Sequence, residues 1–378
     1  MNETESLYQT AMAAHRAGRL EEAEAGYLRV LDRDRFFARA WHLLGVAAYQ
    51  RGDAATAVEY IERAIGLEPQ WTVFYNNLGT IYSALGRASD AERVLRQSLA
   101  TNSAQAATWV ALGHILAVAN RSEEALSCFQ QALALEPSDA AALAGLGLAY
   151  SELGYAEESI AAYQRAAAQS GDANYRVLAA VQLPLVYSSR AEVYRWRRRL
   201  EAELDALLAE GLSIPLDRWP AMPIFSLPHQ GCDDLAIQRK LARLYRAPAV
   251  PSDLWQPRAD GRIRVGFISS YFQVHTIGKL TRGLITHLDR SAFQVTVFSV
   301  GAHEDAVARE LAAAAERYVV LPHDLPRARR MVLENAVDVL VYTDLGMAQT
   351  TYSLAFSRLA PVQCTTWGAS RNNGLGDD

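Results

Sequence analysis

Three short segments carry the residue types that could do chemistry. The first, Ser269-Ser270-Tyr271-Phe272-Gln273-Val274-His275-Thr276-Ile277-Gly278-Lys279-Leu280, sets an imidazole just ahead of a helical stretch. A helix N-terminus favours negative charge, so His275 could act there as a base or hold an oxyanion. Lys279 could meet a phosphate, and equally could be a solvated helix cation. The second segment is Asp344-Leu345-Gly346-Met347 and the third is Trp367-Gly368. The sequence has neither a GxGxxG fingerprint nor a P-loop, which argues against a dinucleotide oxidoreductase or an NTPase. Cys128, Cys232 and Cys364 are far apart and form no CxxC pair. No structural zinc site is expected from them, and lone thiols fit a reducing, cytoplasmic setting.

These segments need elements to position them. Ile263–Ser269, Phe293–Val300, Tyr318–Leu321, Val337–Thr343 and Val362–Trp367 read as strands, and Gly278–Leu288, Glu304–Glu316, Pro326–Asn335 and Tyr352–Arg358 as helices. Such alternation implies an α/β, Rossmann-like parallel sheet, wound on both faces. Ligands of such sheets bind beyond the carboxyl ends of the strands, where all three segments fall. Upstream, Asn174–Leu183 reads as a helix stopped by Pro184. Arg190–Gly211 reads as a long amphipathic helix with Val193, Trp196, Leu200, Leu204 and Leu207 on one face. Its run Arg195-Trp196-Arg197-Arg198-Arg199 is flanked by Glu192, Glu201, Glu203 and Asp205, so a solvated helix face is expected rather than a nucleic-acid contact. A further helix, Leu235–Tyr245, leads into a linker marked by Pro248, Pro251 and Pro257.

The first part of the chain is of another kind. Of the 378 residues, 50% are hydrophobic and 21% charged, with a net charge of −5. That composition suits packed cores and speaks against disorder or a general nucleic-acid binder. The polar N-terminus has no signal-peptide pattern, and the longest apolar run, Ala140 to Tyr150, falls short of the roughly 20 residues of a membrane span. From Leu7 to about Asp172 the sequence repeats with a period of 34 residues. Trp41, Leu44, Gly45, Gly52, Ala57, Ile61, Ala64 and Pro69 recur as Tyr75, Leu78, Gly79, Gly86, Ala91, Leu95, Ser98 and Ser103. They recur again as Trp109, Leu112, Gly113, Asn120, Ala125, Phe129, Ala132 and Pro137.

These slots resemble the tetratricopeptide repeat: paired helices that approach at small residues, with Trp41 and Ile61 filling the space between them. One hairpin cannot bury its apolar face, so about five stacked units imply an all-α solenoid. Its concave face would be lined by the first helix of each unit. Asn76 and Asn77 are the candidates there for holding a peptide backbone.

The string RIRVGFISSYFQVHTIGKL, then DVLVYTDLGM and AFSRLAPVQCTTWG, is similar to the N-terminal lobe of the glycosyltransferase family 41 catalytic domain. That family holds the O-GlcNAc transferases and the SPINDLY proteins, which commonly carry tetratricopeptide repeats in front. The segments YSSRAEVYRWRRRLEAELDALL and PIFSLPHQG also resemble its bacterial members. The resemblance implies a GT-B transferase that moves a sugar from a UDP donor to Ser or Thr of proteins, with no cofactor and no required metal. It places His275 at the active-site cleft, proposed as a base, and Gly368 beside the donor sugar. Asp344 and Gly346 fall in the family's Asp-Leu-Gly signature, and Lys279 is a candidate phosphate contact. The resulting division is repeats over 1–173, a helical region over 174–260, the lobe over 261–368 and a divergent tail over 369–378. After Gly368 the sequence departs from the family, and the second, nucleotide-holding lobe is missing from it. The expectation is negligible transfer by this polypeptide alone, because positioning donor against acceptor can lower a barrier by roughly 7–11 kcal/mol and one wall of a cleft cannot do so in full. Acceptor proteins are the expected partners, without nucleic acid or membrane, and a homo-oligomer stays open. The alternative is a non-catalytic repeat scaffold that mediates protein–protein interaction.

Overall fold

The computed structural model describes residues 3–224, 226–248, 250, 255 and 261–366. The chain divides into two compact units, Met1–Gly171 and Asp172–Asp378.

Helices α1 (Glu3–Arg16) and α2 (Leu20–Arg33), α3 (Ala38–Gln50) and α4 (Ala54–Leu67), α5 (Thr72–Ala84) and α6 (Ala88–Thr101), α7 (Ala106–Val118) and α8 (Ser122–Leu135), and α9 (Ala140–Glu152) and α10 (Ala156–Ser170) form five hairpins of the first unit. The period is written into the backbone. Gly18, Gly52, Gly86, Asn120 and Gly154 all turn between paired helices at positive φ. Glycine has no Cβ to oppose that conformation, and asparagine is among the side chains that tolerate it.

Within a hairpin the small slots set the distance. A Cβ on Gly45 would lie 2.7 Å from Ile61 Cγ1 and 2.9 Å from Ala57 O, so the glycine lets α3 lie directly on α4. Ile61, Leu95 and Phe129 fill equivalent slots and are buried.

The aromatic slot fills space as expected, with Trp41 packed on Tyr60 of α4, and it also makes a hydrogen bond. Trp41 is only half-buried, and its indole N–H donates to Arg35 O at 2.9 Å. Tyr75 O–H donates to Pro69 O at 3.0 Å, and Trp109 N–H to Ser103 O at 2.9 Å. All three acceptors are the same loop position one period apart. In these three repeats an aromatic body with a polar tip ties the helix start to the preceding loop, whereas Leu143 fills the slot in the next repeat.

The second unit opens with α11 (Ala173–Ala180), α12 (Arg190–Ala209) and α13 (Leu235–Leu244). Two short strands, β1 (Ile214–Pro215) and β2 (Tyr245–Arg246), pair in parallel, which sequence patterning did not indicate. The solvated face expected of Arg195–Arg199 is corrected here. Arg197 is buried against Asp234 at 2.7 Å, and Arg199 donates to the carbonyls of Ala179, Ala180 and Gln182. A buried cation must be paired. These arginines close the ends of neighbouring segments, which leaves Arg195 and Arg198 exposed.

The sheet follows as β3 (Ile263–Ser269), α14 (Thr276–His287), β4 (Phe293–Val300), α15 (Ala306–Ala314), β5 (Arg317–Leu321), α16 (Leu325–Glu334), β6 (Val339–Tyr342), α17 (Gln349–Ala355) and β7 (Val362–Thr365). Its order is β5-β4-β3-β6-β7, all parallel. Val265, Phe267, Val295 and Val297 form its core with Ile285 and Leu311. Near the amino end, Asp338 accepts from the Arg264 amide at 2.8 Å and pairs with its guanidinium, which pins β3 beside β6. The helical region packs on the sheet through α17: Tyr352 O–H donates to Gln238 Oε1 at 3.0 Å, and Ser353 Oγ to Ala221 O at 3.3 Å.

Intrinsic propensity alone would make Gly45→Ala stabilising by about 0.5–1 kcal/mol. Overlap with the Ala57 carbonyl reverses the sign, so a net loss of about 1–3 kcal/mol is expected in urea unfolding of the full chain.

Candidate functional site

The strand order reverses at β3. The chain runs outward through β4 and β5, then returns to place β6 on the other side of β3. In open parallel sheets the ligand crevice lies at such a reversal. A cavity of about 340 Å³ opens near it, lined by Ser270, Tyr271, His323, Leu325, Gln349 and Thr350.

The first segment crosses this edge as a tightly folded loop. Ser269 Oγ accepts from the Tyr271 amide at 2.9 Å, and Asp344 Oδ2, reaching over from the end of β6, accepts from the Ser270 amide at 2.8 Å. At the far end Asp305, which also caps α15, accepts from the Val274 amide at 2.5 Å. Gly278 explains how the loop lies so close to its helix. A Cβ there would overlap Gln273 O and come within 2.9 Å of Tyr271 O.

His275 is the N-cap of α14, and its Nδ1 accepts from the Ile277 amide at 3.3 Å. A backbone N–H can only donate, so Nδ1 offers a lone pair, and a neutral ring so bonded carries its proton on Nε2. Nε2 has no partner among the described residues. The Tyr271 ring stacks on the imidazole with centroids 4.5 Å apart at 26°. This geometry offers a hydrogen-bond donor. A base would need the opposite tautomer and would forfeit the cap.

Asp344 is fully buried. Burial pushes its carboxyl up to about 6, against the opposing effects of the Ser270 amide and the nearby Thr351 and Ser269 hydroxyls. Its Oδ1 accepts no hydrogen bond among the described residues. Gly346 turns the chain at φ 86°, consistent with a shaping role. Lys279 is exposed on α14, with no ion pair among the described residues. Gly368 lies outside the described residues. The structure thus brings His275 and Asp344 to one edge of the sheet. Tyr271, Asp305 and His323 were not singled out from sequence. Asp305 fell inside the expected helix Glu304–Glu316, and the structure makes it the cap by starting α15 at Ala306; the other two depended on which strand ends meet.

In the repeat unit both candidate amides are engaged. Asn76 Oδ1 accepts from Thr108 Oγ1 at 2.9 Å and Ser98 Oγ at 3.2 Å, which joins α5 to α6 and α7. Asn77 Nδ2 lies 2.7 Å from Nε2 of His42, a buried ring whose pKa falls to about 4, chiefly through burial. A neutral His42 is thus the acceptor. A separate apolar pocket of about 530 Å³ opens between α5 and α7, lined by Thr80, Ala84, Ala111, His114, Ile115 and Val118.

Because the Asp344 pKa is raised in the fold, the native state holds more protons than the unfolded state between pH about 4 and 6, and stability falls as pH rises through that window. Asp344→Asn removes this penalty. Its stability relative to wild type should improve between pH 4 and pH 7 by up to about 3 kcal/mol, read by urea unfolding at both values.

Tetratricopeptide repeat models match residues 8–70, 73–105 and 140–170, and a TPR repeat model matches residues 113–154. No curated protein matches the chain. Among solved structures, a mutant O-GlcNAc transferase of Thermobaculum terrenum aligns over 89% of this chain at 21% identity with a TM-score of 0.42. The chain spans 52% of that protein's length. The PilF protein of Pseudomonas aeruginosa aligns over 54% of this chain and 90% of its own, at 17% identity and a TM-score of 0.46. YrrB, a TPR protein described as having an unusual peptide-binding site, aligns over 47% of this chain and 89% of its own, at 17% identity and a TM-score of 0.40. The first unit, with its recurring turns, close-approach slots and matched models, is built of tetratricopeptide repeats.

Proposed function

We propose that the second unit is the acceptor-side lobe of a protein glycosyltransferase using a UDP-sugar, and that the repeats select the protein to be modified. The observation that carries this reading is His275 at the strand-order reversal, capping α14 with Nδ1 and leaving Nε2–H free to donate. In such a transfer the bond from the sugar C1 to the diphosphate breaks and one to a Ser or Thr hydroxyl forms, with loss of the hydroxyl proton. Charge develops on the departing diphosphate, and a positioned donor stabilises it. His275 would supply that hydrogen bond and move no proton itself. The motif resemblance around Ile263–Leu280 and Asp344–Met347 supports the same reading, in which neither metal nor cofactor takes part. Gly368 beside the sugar and Lys279 near a phosphate belong to this proposal.

The scaffold reading has its own observation, the apolar pocket between α5 and α7. There the repeats would hold a peptide through an apolar side chain, with Asn76 and Asn77 shaping the solenoid from inside.

Saturation-transfer NMR with the full chain separates the two. On the first reading this lobe meets only the sugar side of the donor and UDP-sugar is held firmly only once a second lobe is supplied. With millimolar UDP-GlcNAc or UDP-glucose the sugar protons therefore receive weak saturation, the uridine protons receive none, and His275→Ala removes the sugar signal. Absence of the sugar signal at millimolar concentration, together with apolar-peptide binding lost in Val118→Asp, would leave the scaffold.

A further inference from the structure

We infer that Asp344 is a positioning residue for His275, acting through the backbone of the β3–α14 loop and not on a ligand. Its functional consequence rests on the reading of His275 given above; its geometry does not. The Asp344 side chain is fully buried, so a bound molecule meets the loop before it meets the carboxyl. Oδ2 instead takes the Ser270 amide at 2.8 Å and joins the end of β6 to the end of β3 across the reversal point. Thr343 strengthens the same seam, its amide donating to Ile268 O at 3.2 Å.

From Ser270 the constraint passes along a short, stiff path. The next residue is Tyr271, whose ring stacks on His275 at 4.5 Å. The loop cannot slacken toward α14, because its carbonyls already lie against Gly278. Nor can it swing outward at its far end, where Asp305 holds the Val274 amide. Two carboxylates, Asp344 just after β6 and Asp305 at the cap of α15, therefore hold the loop at Ser270 and at Val274, the two ends of the stretch that leads into His275. Asp344 is kept there although one of its oxygens is buried without a partner among the described residues, an arrangement that costs stability. A role in shaping the loop accounts for a carboxylate at that cost.

The test needs no nucleotide. In the full chain, Asp344→Ala should speed exchange of the Ser270 amide at least about tenfold and shift the His275 ring nitrogens from the Nε2–H pattern toward averaged tautomers. Asp344→Asn keeps an oxygen for the Ser270 amide and should restore both readouts to near wild type. Unchanged ring shifts in Asp344→Ala, or equal disturbance by Ala and Asn, would overturn the inference. Should Asp344→Ala fail to fold, a pH titration of the wild type decides: the Ser270 amide shift and the His275 ring shifts must move with the Asp344 carboxyl, and independence overturns the proposal. If the loop readouts hold but UDP-sugars do not bind, the glycosyltransferase reading falls alone. If UDP-sugars bind and the loop readouts fail, only this inference falls.

Discussion

Polar atoms that folding removes from water must find partners, and much of this molecule follows from how they do so. In the repeat unit the constraint appears at the aromatic slot, where Trp41, Tyr75 and Trp109 each reach back to a carbonyl at one fixed loop position. It appears again within the solenoid, where Asn76 takes the hydroxyls of Ser98 on α6 and Thr108 on α7. In the second unit Arg197 and Arg199 satisfy themselves and the ends of adjoining segments, which makes a run of arginines into internal struts.

The sheet edge uses the same rule to build a site. A loop between a strand and a helix has backbone amides with no ladder partner, and here two of them are taken by carboxylates from elsewhere, Asp344 and Asp305. The loop thereby gains a single shape without secondary structure of its own. Its histidine then serves as the helix cap, and the cap decides which ring nitrogen carries the proton. Asp344 departs from the rule, with one oxygen unmatched among the described residues and its carboxyl raised to about 6. Departures of this kind concentrate at functional sites.

The repeats were legible because a period is visible without any structure: small residues at Gly45, Gly79 and Gly113, turns at Gly52, Gly86 and Asn120. Each slot meets the same local geometry, so the residue type reports the environment directly. The strands were legible for a similar reason, being continuous apolar runs such as Ile263–Ser269 and Phe293–Val300. Helix ends were less so. The α14 helix begins at Thr276 and not Gly278 because His275 caps it, and imidazole is not among the residues usually read as a cap.

By itself, then, the sequence determined which stretches fold locally and in what order, since hydrophobic period and turn residues act over a few positions. It also named His275 and Asp344, because they fall at strand ends. Only the tertiary structure decided that β6 returns beside β3, and hence that Asp344 meets Ser270 across 74 positions of chain. It alone decided that the Asn77 amide donates to His42 and that Arg197 is buried. Such pairings join segments remote in sequence, and no local pattern encodes which remote partner a desolvated group will find.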